Sequence, residues 1–126
     1  MSTLATDIMW LAICIYHEAR GESAEGRIAV GHVILNRTKA TGKPVKDVIL
    51  RPYQFSWANG GARPPITDYE ALAHCFEAVE SCMSSRAMGE TLSGADHYFA
   101  DYIQKPKWAE GMTKIQKIGK HTFYRS

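Results

Sequence analysis

The chain has 126 residues, of which 45% are hydrophobic, 22% charged and 10% aromatic. This length predicts one domain whose core needs no metal or disulfide, and the composition excludes disordered, collagen-like and coiled-coil proteins. The 15 basic and 13 acidic residues leave a net charge of +2, which is low for a dedicated nucleic-acid binder but suits approach to an anionic polymer such as a cell wall.

The first half of the chain predicts three helices. The first carries apolar residues from Ile8 to Ile15, has Asp7 as its predicted N-cap and ends near residues 18–20, where Gly21 interrupts it. A second helix begins at residues 23–26 (SAEG) and ends at residues 41–44 (TGKP). Residues 45–50 predict a short third helix, because Pro44 suits a first turn.

The second half begins with a change of composition between Arg51 and Pro65. Prolines and glycines lie there among aromatic residues, which predicts a loop of defined shape that carries aromatic side chains. Thr67 and Glu70 have the spacing of a capping box, so Thr67 is the predicted N-cap of a fourth helix that ends near residues 84–88. Two strand-forming runs follow, residues 97–99 and 114–124, the second with Gly119 as a turn or bulge. These elements predict one α+β domain over residues 1–126, mainly helical, with three to four main helices and a small β element.

The three cysteines, Cys14, Cys75 and Cys82, are predicted to be core residues. Cys75 and Cys82 would lie about 10 Å apart on one helix, which is too far for a disulfide. No Lys or Arg precedes Arg20, and the apolar run over residues 8–16 is too short to cross a bilayer. We therefore expect a chain made in the cytoplasm, without a signal peptide and without stable membrane insertion.

Residues 16–22 (YHEARGE) form the densest polar cluster at a predicted helix break. Glu18 directly follows an apolar helix face, and a carboxyl group held against apolar surroundings has a raised pKa, as a general acid near neutral pH requires. The alternative is a solvated helix-end glutamate paired with Arg20. Glu22 is a candidate second acid, although Gly21 breaks the helical spacing between the two carboxyl groups.

The histidines and glycines give no signal for a metal or a cofactor. No two of the five histidines lie three to five residues apart, and no glycine-rich loop has phosphate-binding spacing, since Gly60 and Gly61 precede prolines. We therefore expect neither group. Most aromatic residues lie outside the predicted helices, where they suit either a sugar-binding cleft or a core beneath long loops. They are Tyr53, Phe55, Trp57, Tyr98, Phe99, Tyr102, Trp108, Phe123 and Tyr124.

Four sequence blocks, in order along nearly the whole chain, resemble one known family. They are residues 18–37, which open with EARGE and close with VILNR; 54–57 (QFSW); 94–99 (GADHYF), followed by Pro106 and Trp108; and 118–124 (IGKHTFY). In these blocks the chain resembles the cell-wall hydrolase family typified by spore-cortex-lytic enzymes.

This resemblance implies a lysozyme-like domain that acts on the glycan strands of peptidoglycan, with Glu18 as the catalytic acid. Asn36 and Arg37 also match the family, and between substrate contact and an ion pair or cap that holds the second helix we expect the latter. His121 and Phe123 match the last block and are expected to give structural support. The residues expected to line the substrate cleft are Gln54, Ser56, Trp57, His97, Tyr98 and Phe99.

The expected reaction is cleavage of the β-1,4 bond between N-acetylmuramic acid and N-acetylglucosamine. A lytic transglycosylase is favoured, because the sequence shows no clear second carboxylate. A hydrolytic muramidase, in which Glu22, Asp96 or Asp101 activates water, is the close alternative. A non-catalytic glycan-binding module and a metal-dependent amidase or peptidase are the alternatives from other classes.

The sequence also suggests a setting for that activity. Spore-cortex relatives typically carry a signal peptide and a wall-binding domain, and neither is recognised in this sequence. A bare catalytic domain resembles a bacteriophage endolysin, which a holin would release to the wall. We expect a monomer that binds peptidoglycan and no nucleic acid.

Overall fold

A computed structural model describes residues 3–59 and 63–126. Gly60 and Gly61 of the predicted loop lie outside the described residues, as do Met1, Ser2 and Ala62. The elements are α1 (Leu4–Ala19), α2 (Ala24–Thr41), α3 (Val45–Leu50), α4 (Tyr69–Ala87), β1 (His97–Ala100), β2 (Thr113–Ile118) and β3 (His121–Arg125). Short 3₁₀ turns occupy Ser56–Ala58, Leu92–Gly94 and Lys107–Gly111. The predicted α+β class, mainly helical with a small β element, is confirmed.

The N-caps of two helices differ from the prediction. Helix α1 begins at Leu4, because Thr3 accepts a hydrogen bond from the Thr6 N–H at 3.1 Å, and Asp7 lies inside the first turn. Helix α4 is capped by Asp68, whose Oδ1 accepts from the Ala71 N–H at 3.0 Å. The predicted capping box of Thr67 with Glu70 is therefore wrong.

The core lies between α1, α2 and α4, and α2 is the most deeply buried of these helices, with every residue from 29 to 35 buried. Gly31 allows α2 to approach α4 closely, because a Cβ at this position would lie 2.7 Å from Cys82 Sγ. Cys14, Cys75 and Cys82 are all buried and unpaired, which confirms their prediction as core residues.

The sheet is antiparallel with the strand order β1-β3-β2, so β1 is an edge strand. The predicted run over residues 114–124 is a hairpin that turns at Gly119, whose φ is 57°. A Cβ on Gly119 would lie 2.6 Å from Glu22 Oε1, and the Lys120 N–H donates to that oxygen at 2.9 Å. The carboxylate between α1 and α2 is thus held directly against the hairpin turn.

Helix α2 fixes the segment that leads into β1. Asn36 Nδ2 donates to the carbonyl groups of Thr91 and Ala95, both at 2.8 Å, and Arg37 Nε donates to the Asp96 carbonyl at 2.8 Å. The expected ion pair or cap at Asn36 and Arg37 is therefore wrong. These side chains satisfy backbone carbonyl groups more than fifty residues away and so set the position of β1.

Candidate active site

Glu18 lies in the last turn of α1, on the face that this helix buries. Leu11, Cys14 and Ile15 are fully buried, and Glu18 follows Leu11 by seven residues, which places it on the same stripe of the helix. The helix ends at Ala19 and α2 begins at Ala24, so the carboxyl group emerges from packed apolar structure at a chain break. The predicted interruption near Gly21 is confirmed.

The Glu18 carboxyl group is surrounded by donors. The Tyr98 hydroxyl donates a hydrogen bond to Glu18 Oε1. Burial raises the pKa of Glu18 above its ordinary value, and Tyr98, the indole N–H of Trp57 and the charge of Arg37 each oppose that rise. The Trp57 N–H lies near the carboxylate without meeting any described acceptor in full hydrogen-bond geometry. Burial also raises the pKa of Tyr98 well above its ordinary value, which keeps its hydroxyl protonated as a donor.

Glu18 opens into a cavity of about 530 Å³. Four of the residues predicted to bind substrate line it, and they are Ser56, Trp57, Tyr98 and Phe99. Glu18 contributes the only carboxylate among the described residues of this lining. The remaining lining residues are His17, Pro64, Ala100, Tyr102, Ile103, Pro106, Trp108 and His121.

The other two predicted substrate-binding residues lie elsewhere. Gln54 and His97 line a separate cavity of about 160 Å³. Arg37 Nη1 donates to Gln54 Oε1 at 3.4 Å, while His97 Nδ1 lies 3.0 Å from Asp96 Oδ1. The structure therefore places four of the predicted cleft residues in the cavity of Glu18 and the other two, Gln54 and His97, in the cavity that Arg37 lines.

Three further aromatic groups line the site, of which sequence reasoning missed His17 and named Tyr102 and Trp108 only within the larger set of aromatic residues suited to a cleft or a core. The His17 ring stacks on Trp57 with centroids 4.5 Å apart, and burial lowers the pKa of His17, which favours the neutral ring. Tyr102 is 80% exposed beside the cavity, and Trp108 contacts the ring of Phe99. Aromatic type alone identified Tyr102 and Trp108 as candidates, but their positions depend on the turn after β1.

Glu22 and Glu18 both line an adjacent cavity of about 170 Å³, together with His121. Glu22 Oε1 accepts from the Lys120 N–H and lies 3.6 Å from His121 Nδ1. Arg20 Nη1 donates to the Tyr16 hydroxyl at 2.6 Å, so the alternative in which Glu18 pairs with Arg20 is wrong.

The two aspartates considered for water activation have other partners. Asp96 binds His97 and Ser126, and Asp101 Oδ2 lies 3.6 Å from Lys117 Nζ. Across residues 3–59 and 63–126, no group of three or more His, Cys, Asp or Glu side chains is arranged to hold a metal ion. In the same described ranges, no helix has the length and apolar character needed to span a membrane.

Comparison with known proteins gives one family and a consistent set of relatives. The family described as Cell Wall Hydrolase matches residues 21–124, a range that begins just after Glu18. The spore cortex-lytic enzyme of Bacillus subtilis is 34% identical over 122 residues, which cover 93% of this chain and 37% of that protein. That of Halalkalibacterium halodurans is 33% identical over 119 residues, covering 93% and 34%. The chain spans about a third of the length of these two curated relatives.

Two solved structures of catalytic domains share the fold of this chain. The catalytic domain of the Bacillus cereus SleB protein superposes with a TM-score of 0.76 at 30% identity, covering 98% of this chain and 93% of that one. The catalytic domain of the germination-specific lytic transglycosylase SleB from Bacillus anthracis gives a TM-score of 0.73 at 31% identity, covering 94% and 93%. The architecture of this chain is thus the lysozyme-like α+β fold of those domains.

Proposed function

The chain belongs to the cell wall hydrolase family, and from that premise we propose that it cleaves the β-1,4 bond between N-acetylmuramic acid and N-acetylglucosamine in peptidoglycan. The proposed reaction is that of a lytic transglycosylase, with Glu18 as the general acid and then the general base. The name of the Bacillus anthracis relative supports this reaction type.

One observation carries the proposal: a single carboxyl group, with a pKa raised by burial, faces an aromatic-lined cavity. A raised pKa keeps the acid protonated closer to neutral pH, where it can protonate the leaving oxygen. The flat faces of Trp57, Phe99 and Trp108 suit the apolar faces of sugar rings. The absence of a second carboxylate from the described lining of this cavity favours an internal nucleophile.

The proposed reaction consumes no water, because the muramyl residue supplies its own nucleophile. The Glu18 carboxyl group gives its proton to the glycosidic oxygen as the bond to the muramyl C1 breaks. The resulting carboxylate then accepts the proton of the muramyl 6-hydroxyl group, whose oxygen bonds to C1 and closes a 1,6-anhydro ring. Glu18 is protonated again at the end of the cycle, with the Tyr98 hydroxyl holding the carboxylate in place between the steps.

The test is release of soluble saccharide from purified peptidoglycan by wild type and by Glu18→Gln. The variant keeps the shape and an acceptor oxygen for Tyr98 but has no transferable proton, so we expect a loss of at least about 100-fold in rate. Glu80→Gln, at an exposed position on α4, is the matched control and should retain activity. Full activity in Glu18→Gln, or glycan binding without cleavage by wild type, would refute the proposal.

A hydrolytic muramidase is the second candidate, and the cavity that Glu18 shares with Glu22 and His121 favours it. In that reaction Glu22 would activate water. Glu22→Gln separates the two reactions, because its amide oxygen can still accept from the Lys120 N–H while its basicity is lost. The transglycosylase proposal expects cleavage to continue in this variant, whereas a muramidase would lose it.

We also propose that the chain acts as an endolysin released to the wall through a holin. The family membership supports action on the wall but does not identify the route to it. The test is expression of the chain in bacteria with and without a pore-forming holin, followed by culture turbidity. Rapid clearing only with the pore supports the proposal, and clearing without it contradicts it.

A further inference from the structure

The cavity that contains Gln54 and His97 has a surplus of positive charge. Its lining includes the cations Arg37, Lys43 and Arg51, against the carboxylates of Asp47 and Asp96. Asp96 is already engaged by His97 and Ser126. Among the described residues, none of the three cations lies within 4.0 Å of a carboxylate oxygen.

Arg37 is the most informative of the three cations. Its Nε is anchored on the Asp96 carbonyl at 2.8 Å, and its Nη1 makes only a long contact of 3.4 Å with Gln54 Oε1. Its Nη2 has no hydrogen-bond partner among the described residues. Asp96 and Glu18 are near enough to stabilise its charge, but neither carboxylate forms a close ion pair with it. Its planar donors are therefore open to an anion, and a carboxylate matches their geometry.

This cavity lies close to Glu18 along two chain segments. In the first segment, Gln54 lines this second cavity, and Ser56 and Trp57 line the Glu18 cavity. In the second segment, His97 lines this second cavity, and Tyr98 and Phe99 line the Glu18 cavity. Consecutive Cα atoms are about 3.8 Å apart, so residues that lie one or two positions apart in the chain, as the nearest of these do, are separated by at most about 8 Å. A substituent on a sugar bound beside Glu18 can therefore reach the Arg37 donors.

We propose that the cavity formed by Arg37, Lys43, Arg51, Gln54 and His97 binds a carboxylate on the lactyl-peptide arm of the muramyl residue. The inference rests on the proposed function and names the part of the substrate that this second cavity recognises. In stem-bearing strands the lactyl carboxyl group is itself an amide, so the free carboxylates there belong to the peptide. Strands from which the peptide has been removed carry a free lactyl carboxylate instead.

The test compares Arg51→Gln and Lys43→Gln with wild type, because neither side chain makes a hydrogen bond to any of the described residues. Arg37 is left intact, since it positions β1. Lys39→Gln is the matched control: it removes one exposed positive charge from the same end of α2, outside the cavity lining. Each protein is assayed on three glycans, which are stem-bearing strands, strands whose carboxylates have been converted to amides, and strands stripped by an amidase to free lactyl groups.

On stem-bearing strands we expect KM to rise about two- to fivefold in Arg51→Gln and Lys43→Gln, as for loss of an exposed charge contact, with kcat unchanged. On amidated strands these variants should match wild type, and Lys39→Gln should match it on every glycan. A KM rise that is confined to stem-bearing strands identifies the peptide carboxylates as the ligand, and a rise on stripped strands as well shows that the cavity also accepts the lactyl carboxylate that the amidase frees.

Equal KM values for wild type and both variants on stem-bearing strands would overturn the inference, as would an equal rise on amidated strands. Either result leaves the proposed function standing, because the glycan is still cleaved. Failure of wild type to cleave any of the three glycans would refute the proposed function and this inference with it.

Discussion

The surroundings of the Glu18 carboxyl group act on its pKa in opposite directions. Burial raises its pKa, while the hydroxyl of Tyr98, the indole of Trp57 and the charge of Arg37 stabilise its ionised form. Such surroundings suit a group that must first give and then accept a proton, since burial favours the protonated form and the three neighbours favour the ionised form.

Tyr98→Phe tests this balance. Removing the hydroxyl donor should raise the pKa of Glu18 further, so the alkaline limb of the profile of kcat/KM against pH moves upward, by about one pH unit for a hydrogen bond to a charged group. The maximal rate should fall, because the carboxyl group loses the contact that orients it. Tyr69→Phe, at an exposed position on α4, controls for removing a phenol. An unmoved limb in Tyr98→Phe would show that Tyr98 does not act on Glu18.

Glu18→Gln also has an expected effect on stability. A carboxyl group with a raised pKa binds its proton more tightly in the folded state, so wild type loses stability as pH rises from the ordinary glutamate pKa through the raised one. The glutamine variant lacks this loss. Urea unfolding from about pH 4 to about pH 7 should therefore show its free energy of unfolding rising relative to wild type. A difference that is constant across this range would contradict the account.

Periodicity could identify Glu18 but not its partners. The spacing of Leu11, Cys14 and Glu18 is local, so the sequence alone predicts a carboxyl group on a buried stripe. The contact with Tyr98 joins residues 80 positions apart and depends on how α2 holds β1. For the same reason the division between the Gln54 cavity and the Glu18 cavity had no signal in the sequence.

At the scale of elements, the hairpin between β2 and β3 is joined to the turn between α1 and α2 through Glu22. Gly119 makes this contact feasible, because its φ of 57° and its missing Cβ leave room for the carboxylate. The hairpin carries His121, which lines the cavity of Glu18. The turn therefore sets one wall of the site.

Gly119→Ala should destabilise the protein by more than the roughly 1–2 kcal/mol that a left-handed conformation costs an ordinary residue, because the new Cβ also meets Glu22 Oε1. Gly42→Ala is the matched control, since its φ is 70° and nothing lies within 4 Å of the new Cβ. Chemical denaturation measures both. Equal losses in the two variants would show that the contact with Glu22 contributes nothing.

Helix existence was easier to predict than helix beginnings. The second helix begins within the predicted residues 23–26, and the structure adds its cap, since Ser23 accepts from the Gly26 N–H at 3.2 Å. The first and fourth helices each have two candidate caps near their start, and side chains of similar capping strength compete there. At α4 a tertiary contact fixes the start, because the Tyr16 hydroxyl accepts a hydrogen bond from the Asp68 N–H.

At the scale of the whole molecule, one buried cluster joins all four helices to β2 and β3. The assignment of residues 1–126 to one domain remains a prediction. It implies a single cooperative unfolding transition with equal calorimetric and van't Hoff enthalpies. Differential scanning calorimetry measures both, and two separate transitions would contradict it.

The central claim is that Glu18 cleaves the glycan through an internal muramyl nucleophile. Mass spectrometry of the saccharides released from purified peptidoglycan tests it most directly. We expect 1,6-anhydromuramyl ends, each lighter by one water than a hydrolysed end, from wild type and none from Glu18→Gln. Release of only hydrated reducing ends by wild type would contradict the claim.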